Sequence, residues 1–237
     1  MVAKRKLPPR APMPFRIFSG WDSRQAEAAD VFAFSVREHA SSPVEIRFVS
    51  ADPAVPGGAV CKRGAVTSFT YARFMVPSLC GYDGVAVYAD GCDQLCLGDV
   101  DELRAFAAYD MNGCAVKVVK HAFRNQARPR SWTSLMLLDC ARFKAWTPQF
   151  VETVPDDLLM RFGTLEDRDI GELPWEWNSM IEPANPQPGL ASLTTEPPAD
   201  TKIAHWSYLA DPNGDSWIDR SGSQIWAAAR ERWRAHG

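Results

Sequence analysis

The sequence predicts an α/β fold: one domain with a mostly parallel central sheet and flanking helices. Apolar runs of strand length alternate with helical periodicity over the first half of the chain, as expected for strands joined by helical crossovers. The length of 237 residues suits one such domain with a single sizeable core. Hydrophobic residues make up 46% and charged residues 23%, which is ordinary for a globular protein and excludes a disordered chain.

Five segments have strand character. They are short, rich in β-branched or aromatic residues, and either alternating or continuously apolar: Phe15–Gly20, Val44–Val49, Val85–Ala89, Cys114–Lys120 and Ser134–Leu138. Val85–Ala89 (VAVYA) has no polar position at all, so we expect a strand that is buried on both faces. It is therefore predicted to lie in the middle of the sheet.

Three segments have apolar residues three or four positions apart, which predicts helices. They are Ser23–Ala40, Thr67–Leu79 and Gly222–Arg234. Residues 1–14 hold four basic residues and four prolines without an acid, so we expect a disordered basic tail before a domain spanning 15–237. Pro183–Asp200 has five prolines and predicts a surface loop.

Charge and hydropathy exclude several classes of protein. The balance of 26 basic against 29 acidic side chains argues against general binding of nucleic acid through its phosphates. No run of 18 apolar residues is present, so no transmembrane segment is predicted. The basic N-terminus lacks the apolar stretch of a secretory signal, and we expect a cytoplasmic protein.

The cysteines support the same compartment. Most of the six have apolar neighbours, which predicts reduced and mostly buried thiols. Cys92 and Cys96 are spaced C-x3-C, but no second Cys or His pair follows at zinc-finger spacing, so a structural zinc site is only weakly supported.

The most informative segment, VAVYADGCDQLCLGDVDEL, covers residues 85–103. Asp90 and Asp93 follow the buried strand, where α/β folds place their ligands. A tight turn at Gly91 and Cys92 would bring the two Cα atoms within about 7 Å. Two carboxylates at that distance suit a hard divalent cation, which in turn could neutralise phosphate oxygens. The alternative is that both are solvent-exposed turn residues, since Asp and Gly are common in turns.

Five segments together resemble the glycogenin-like glycosyltransferases of family 8, in the order in which that family has them. They read FRIFSGWDSRQAEAADVFAFSVREHA, TSFTYARFMVPSLCGYDGVAVYADGCDQLCLGDVDEL, RSWTSLMLLDCARFKAW, IGELPWEWNSM and IAHWSYLADPNGDSW. The resemblance runs from Phe15 to about Trp217. It implies a GT-A fold, that is, one α/β domain that binds a nucleotide-sugar and Mn2+ or Mg2+.

By this resemblance the metal ligands would be Asp90, Asp93 and His205. The chain departs from the family's Asp-x-Asp pattern, because Asp-Gly-Cys-Asp is one residue longer. Either both acids still converge, or Asp93 ligates alone while Asp90 binds the nucleotide. Without the resemblance, His205 in KIAHW would be interpreted as a buried core histidine.

The resemblance also implies positions for the donor and the acceptor. The residues expected to bind the nucleotide-sugar are Ser19, Gly20, Asp22, Arg73, Trp132 and Ser134. Asp22 could accept a hydrogen bond from a ribose hydroxyl or from Arg73. Trp177 and Asn178 are expected on the acceptor side, and His121 could line the same cleft. The family's late phosphate-binding Lys is missing here, and Lys202 or Arg220 are candidate replacements.

The implied activity is a retaining transfer of a sugar, from a UDP-sugar or another nucleotide-sugar, to a carbohydrate or other hydroxyl acceptor. Asp169 is the candidate catalytic group near the anomeric carbon. Two alternatives stay open: a non-catalytic GT-A module that binds nucleotide or glycan, and an enzyme such as a nucleotidyltransferase or a metal phosphohydrolase. A nucleotidyltransferase would carry a Gly-rich basic loop after the first strand, and SGWDSRQ has one Gly.

Overall fold

The computed structural model describes residues 15–108, 111, 113–121, 132–181, 196–206 and 223–236. The predicted tail 1–14, most of the predicted loop Pro183–Asp200 and the candidate Arg220 lie outside the described residues.

The described strands form two sheets. In chain order they are β1 Phe15–Gly20, β2 Val44–Val49, β3 Val85–Ala89, β4 Gln94–Cys96, β5 Val116–Val118, β6 Leu135–Asp139, β7 Ile170–Glu172, β8 Ser179–Met180 and β9 Ile203–His205. The larger sheet has the order β2-β1-β3-β6-β5-β7, and the smaller one the order β4-β9-β8. The five predicted strands all lie in the larger sheet, with bounds shifted by up to two residues.

The larger sheet is mostly parallel, as predicted. Strand β1 runs parallel to both β2 and β3, and β5 runs parallel to β7. Strand β6 is inserted between β3 and β5 and runs antiparallel to both. Consequently β3, β5 and β7 end at the same edge of the sheet, and β6 begins there. Asp90 and Asp93 come after β3 and therefore lie at this edge of the sheet.

Strand β3 lies inside the sheet and is covered on both faces, as its apolar sequence predicts. Ala86 and Tyr88 pack into the hydrophobic cluster on one face, whereas Val87 and Ala89 pack into the cluster on the other. This alternation follows from the two-residue period of a strand. The last residue of β3 therefore has a well-fixed backbone, and so has Asp90 directly after it.

The described helices flank these sheets. They are α1 Ala26–His39, α2 Val76–Leu79, α3 Asp101–Ala108, α4 Pro148–Thr153, α5 Asp156–Met160 and α6 Gln224–His236. Short 3-10 helices cover Ser23–Gln25, Ala72–Met75, Cys140–Phe143, Asp167–Asp169 and Trp175–Asn178. Among the described residues, no helix is both long and apolar enough to cross a membrane.

The prediction of one helix over Thr67–Leu79 was wrong in its first turns. Residues 67–71 form turns, and regular helical structure begins only at Ala72. The reason is tertiary: the Ser68 backbone N–H donates to the Asp22 carboxylate, and the Ser68 carbonyl accepts from Ala51. Backbone groups used in this way are not available to a continuous helix.

The C-terminal helix α6 packs on α1 and covers the smaller sheet. Trp226 is buried in a cluster that includes Trp206, which directly follows β9. Arg232 pairs with Glu38 and Arg234 with Glu27, each at 2.8 Å. These exposed pairs add little stability, so the apolar cluster is the main contact that holds α6 in place.

All six cysteines are free, and five of them are buried, as predicted. The Cys92 thiol is directed at the carbonyl of Gly20, and the Cys96 thiol at that of Gly98. The two thiols of the C-x3-C spacing are thus used separately in the core, which does not suit a shared zinc ion.

Candidate metal centre

Three metal-ligating side chains meet at the shared strand edge. Asp90 follows β3, Asp93 precedes β4, and His205 ends β9, whose pairing with β4 places His205 opposite Gln94. One potential ligand atom from each of Asp90, Asp93 and His205 lies within 4.8 Å of the other two. These are the three residues that the resemblance to family 8 implied as metal ligands, and the structure brings them together.

Gly91 makes room for the extra residue of the Asp-Gly-Cys-Asp segment. The Cys92 N–H donates to the Asp90 carbonyl at 2.8 Å, which closes a three-residue turn around Gly91. Gly91 has φ +72°, in the left-handed region, and a Cβ there would lie 2.0 Å from the Ser19 hydroxyl oxygen. Only glycine suits such a position. The turn lets both acids converge despite the longer spacing.

Asp90 is held by a hydrogen bond and an ion pair on the same carboxylate oxygen. The Tyr88 hydroxyl donates to Oδ1 at 2.8 Å, and Arg73 Nη1 lies 2.9 Å from that atom. Burial raises the pKa of Asp90, Arg73 counteracts this and nearby Asp93 adds to it, so the pKa is about 6. Because both contacts use Oδ1, Oδ2 is the oxygen available to a cation.

Asp93 and His205 contact each other, but their ligand atoms are not satisfied by hydrogen bonds. His205 Nε2 lies 3.2 Å from Asp93 Oδ2, which is an ion pair when the imidazole is protonated. Among the described residues, neither Nε2 nor the buried Asp93 Oδ1 has a hydrogen-bond partner. Leaving such an atom unsatisfied costs about 1–3 kcal/mol, and a cation between the three side chains would remove that cost.

The donor set fits a divalent cation. One imidazole nitrogen with two carboxylates is a combination that Mn2+ and related metals accept, and it leaves positions for further oxygen ligands. Burial lowers the pKa of His205, but Asp93 and Asp90 raise it by more, and the net shift is upward. A cation in this position would therefore replace a proton that the two acids otherwise attract.

Ser19 and Gly20, which were predicted to bind the sugar donor, lie against the turn formed by residues 90–93, called the acid turn below. Ser19 is fully buried, with its hydroxyl against Gly91. A Cβ on Gly20 would lie 2.6 Å from the Asp90 carbonyl oxygen and 2.7 Å from the Phe69 ring. Both residues thus allow the end of β1 to approach the acid turn closely, and their contact with a nucleotide-sugar stays a prediction.

Asp22 and Arg73 do not contact each other as the sequence suggested. The Asp22 carboxylate accepts from Arg24 at 2.7 and 2.8 Å and from the Ser68 N–H at 3.0 Å. Arg73 is buried and donates to the carbonyls of Thr70 and Thr133, besides its ion pair with Asp90. Arg73 therefore holds Asp90, a candidate metal ligand, and its binding of a nucleotide-sugar stays a prediction.

Trp132 and Ser134, also predicted to bind the donor, lie just before β6 at the same edge. The Ser134 carbonyl accepts from the Asp90 N–H at 3.0 Å, which joins this segment to the acid turn. The Trp132 indole N–H donates to the carbonyl of His121 at 3.1 Å. Burial and the charge of His205 lower the pKa of His121 to about 4, so His121 is neutral near pH 7 and lies close to the centre.

The predicted acceptor residues Trp177 and Asn178 are buried. Trp177 is 1% exposed and packs in the core. Asn178 is fully buried, accepts from His205 Nδ1 at 2.9 Å and donates to the Ser134 hydroxyl at 2.9 Å. Neither side chain is accessible to an acceptor in this conformation, so their acceptor role stays a prediction. The contact between Asn178 and His205 was not foreseen from the sequence.

The structure does not bring Asp169 to the centre. Asp169 directly precedes Ile170, the first residue of β7. Following the paired residues across the sheet from Ile170, through β5 and β6, leads to Ala86 at the start of β3. Asp90 lies past the other end of β3. At about 3.3 Å per residue, the backbone positions of Asp169 and Asp90 are about 16 Å apart along the strands, with two further strands between β3 and β7. The structure therefore does not bring Asp169 to the group Asp90, Asp93 and His205, and its catalytic role stays a prediction.

Lys202 does not replace the missing phosphate-binding lysine. Its ammonium group pairs with Glu102 at 2.8 Å. Ile203 pairs with Cys96 and His205 with Gln94, so Lys202 lies beyond the end of β9 that is remote from the centre. Sequence analysis did not single out Tyr88 and Gln94, yet both contact the candidate centre. The Tyr88 hydroxyl donates to Asp90, and the Gln94 side chain accepts from the Gly91 N–H.

Solved structures with a similar fold are GT-A glycosyltransferases. The chain aligns with an active-site mutant of LgtC at 16% identity and a TM-score of 0.58, covering 93% of this chain and 96% of that one. A complex of the galactosyltransferase LgtC with donor and acceptor sugar analogues gives 15% identity and a TM-score of 0.52, with coverages of 93% and 99%. The fold is therefore of the GT-A class, as the sequence predicted.

GlyE from Streptococcus pneumoniae TIGR4 shares the fold too, with 14% identity and a TM-score of 0.55. That alignment covers 94% of this chain, which spans only 64% of the GlyE chain.

A sequence relative defines the family. The chain is 30% identical to Protein CDI of Arabidopsis thaliana, over 93% of this chain and 87% of that protein. It therefore belongs to the same family as Protein CDI. No family model matches the chain.

Proposed function

We propose that this protein is a metal-dependent retaining glycosyltransferase of family 8, which transfers a sugar from a nucleotide-sugar, with UDP-sugars as the first candidates. The observation that carries the proposal is the group Asp90, Asp93 and His205 at the strand edge of a GT-A fold. The retaining course and the UDP donor are taken from the resemblance of the sequence to family 8.

The three side chains would hold Mn2+ or Mg2+. When bound, such an ion neutralises the charge that develops on the leaving nucleoside diphosphate. The chain's own contribution is to keep the ligands in place: Arg73 and Tyr88 fix Asp90 through Oδ1, and the Gly91 turn directs Asp93 toward His205. Ligands held in advance do not need to reorganise during the reaction.

The buried position of Asp90 serves the same purpose. Its carboxylate lies in a region of low dielectric, where a charge interacts with a cation more strongly than in water. Arg73 and Tyr88 counteract the cost of burying that charge without using Oδ2. The site is thus arranged to bind a cation rather than to keep a neutral carboxyl.

The first test is a thermal shift measured with Mn2+ plus UDP, GDP, CDP or ADP in turn, followed by release of sugar from the matching nucleotide-sugar. We expect one nucleotide to raise the melting temperature in a metal-dependent way, and the double variant Asp90→Asn, Asp93→Asn to lose the effect.

The matched control is Asp139→Asn. Asp139 caps a short helix at the opposite edge of the sheet, and Asn caps equally well, so this variant should respond as the wild type does. A metal-dependent shift that survives in the double variant would contradict the proposed site. A shift without any sugar transfer or release would instead indicate a non-catalytic binding module.

A further inference from the structure

The side of His205 that faces away from Asp93 is connected to a series of hydrogen bonds. In this series each group's role as donor or acceptor is fixed by its preceding partner. The series starts at two backbone groups and passes through Gln94 and Asn178 before it reaches the imidazole. All three side chains are buried, so water cannot rearrange these bonds freely.

Backbone groups fix the orientation of the Gln94 amide. Its Oε1 accepts from the Gly91 N–H at 3.2 Å, and its Nε2 donates to the Ser134 carbonyl at 3.2 Å. A backbone N–H only donates and a carbonyl only accepts. If the Gln94 amide were flipped, its NH2 group would face the Gly91 N–H and its oxygen would face the Ser134 carbonyl, and neither pair could form a hydrogen bond.

The Gln94 amide in turn fixes that of Asn178. Gln94 Nε2 also lies 3.4 Å from Asn178 Oδ1, so the oxygen of Asn178 must face it. The other end of the Asn178 amide donates to the Ser134 hydroxyl at 2.9 Å. A hydroxyl can donate or accept and imposes no direction. The orientation of Asn178 is therefore set from the Gln94 side.

The Asn178 oxygen then determines which nitrogen of His205 carries the hydrogen. His205 Nδ1 lies 2.9 Å from that oxygen and has to donate to it. In the neutral imidazole the lone pair is consequently on Nε2, the atom that lies 3.2 Å from Asp93. Nε2 is the nitrogen that faces the acids of the candidate centre.

We infer that Asn178, oriented by Gln94, is a positioning residue that fixes the tautomer and ring direction of His205 for binding of a divalent cation. The inference rests on the proposed function in that it assigns the cation to this centre. It gives Asn178 a role on the metal side, in place of the acceptor contact that the sequence suggested.

Gln94 also links the two halves of the centre. Through Gly91 it contacts the acid turn, and through Asn178 it contacts His205. The distance between the acids and the imidazole is thus set by one continuous set of hydrogen bonds.

The test compares Mn2+ affinity, measured by titration calorimetry, in Asn178→Leu and Asn178→Asp. Leu has a similar size but accepts no hydrogen bond. We expect it to weaken Mn2+ binding by about 10–100-fold, which is the usual effect of removing a hydrogen-bond partner of a metal-ligating side chain. Asp keeps the acceptor, so its Mn2+ affinity should equal or exceed that of the wild type. Ser179→Ala is the matched control, because Ser179 is a buried neighbour that bonds Trp175 and Thr201 instead.

A second measurement reports on the tautomer in the wild type alone. We expect the nitrogen-15 NMR shifts of His205 in the metal-free protein at alkaline pH to show hydrogen on Nδ1 and a lone pair on Nε2. The opposite tautomer, or wild-type Mn2+ affinity in Asn178→Leu, would overturn the inference. A wild type that binds no Mn2+ would refute the proposed function, but the tautomer of His205 would still test whether Asn178 orients the imidazole. The tautomer measurement would also serve as the test if Asn178→Leu did not fold.

Discussion

At the scale of single residues, Gly91 is the position that allows this chain to depart from the Asp-x-Asp spacing. The extra residue is absorbed by a turn with φ +72°, against the Ser19 hydroxyl. A left-handed residue without a Cβ permits this path, and it returns Asp93 toward His205. The glycine is therefore as much part of the centre as the acids are.

Gly91→Ala is expected to weaken Mn2+ binding by about tenfold or more, because the added Cβ would push the turn away from Ser19 and separate the acids. The control is Gly58→Ala. Gly58 has φ +87° with open space around it, so this variant has the same backbone strain without the clash. Unchanged affinity in Gly91→Ala, measured by calorimetry, would contradict the role of the turn.

At the scale of elements, Asp22 ties two segments together next to the centre. It caps the 3-10 helix Ser23–Gln25, pairs with Arg24, and accepts from Ser68 in the segment before the helix of Arg73. Burial raises the pKa of Asp22, but the bonds from Arg24 and Ser68 outweigh this and lower the pKa to about 2. A depressed pKa means that folding favours the ionised form.

Asp22→Asn should accordingly lower the free energy of unfolding near neutral pH by about 1–2 kcal/mol, after allowance for the half-exposed Arg24. The stabilisation by Asp22 is complete above the unfolded pKa near 4 and is lost as the pH falls through about 2. Urea unfolding of both proteins from pH 7 to pH 2 checks this. A difference that stays constant over that range would show that ionisation of Asp22 is not its source.

The elements show which parts of this fold the sequence could predict. Val85–Ala89 was predictable because a short apolar run of strand length, with β-branched residues, suits a strand that is buried on both faces. Thr67–Leu79 was not, because the hydrogen bonds of Ser68 to the Asp22 carboxylate and from the Ala51 N–H, both distant in sequence, compete with the helix. Local periodicity contains no information about such partners.

The same distinction applies to the centre. Asp90 and Asp93 follow a recognisable strand, so both could be found from the sequence. Asn178 was singled out for a different reason, and Gln94 not at all, because their importance arises from the hydrogen bonds that join β4, β9 and the 3-10 helix Trp175–Asn178. The distance of Asp169 from the centre could not be foreseen, because the sequence does not tell at which edge of the sheet a polar residue lies.

At the scale of the whole molecule, the larger sheet supplies one acid of the candidate centre, Asp90, whereas the smaller sheet supplies Asp93, before β4, and the histidine. Asp90 extends β3 of the larger sheet, while His205 belongs to β9, which is covered by α6 through the cluster around Trp206 and Trp226. The centre therefore exists only when the smaller sheet is packed in place. This links the C-terminal helix, at a distance, to the candidate metal centre.

The measurement that tests the central claim most directly is anomalous diffraction at the manganese edge, from crystals grown with Mn2+ and a nucleoside diphosphate. The account predicts one strong peak at about 2.0–2.3 Å from Asp90 Oδ2, an Asp93 oxygen and His205 Nε2, with diphosphate oxygens completing the coordination. No peak there, or a nucleotide bound elsewhere, would contradict the account.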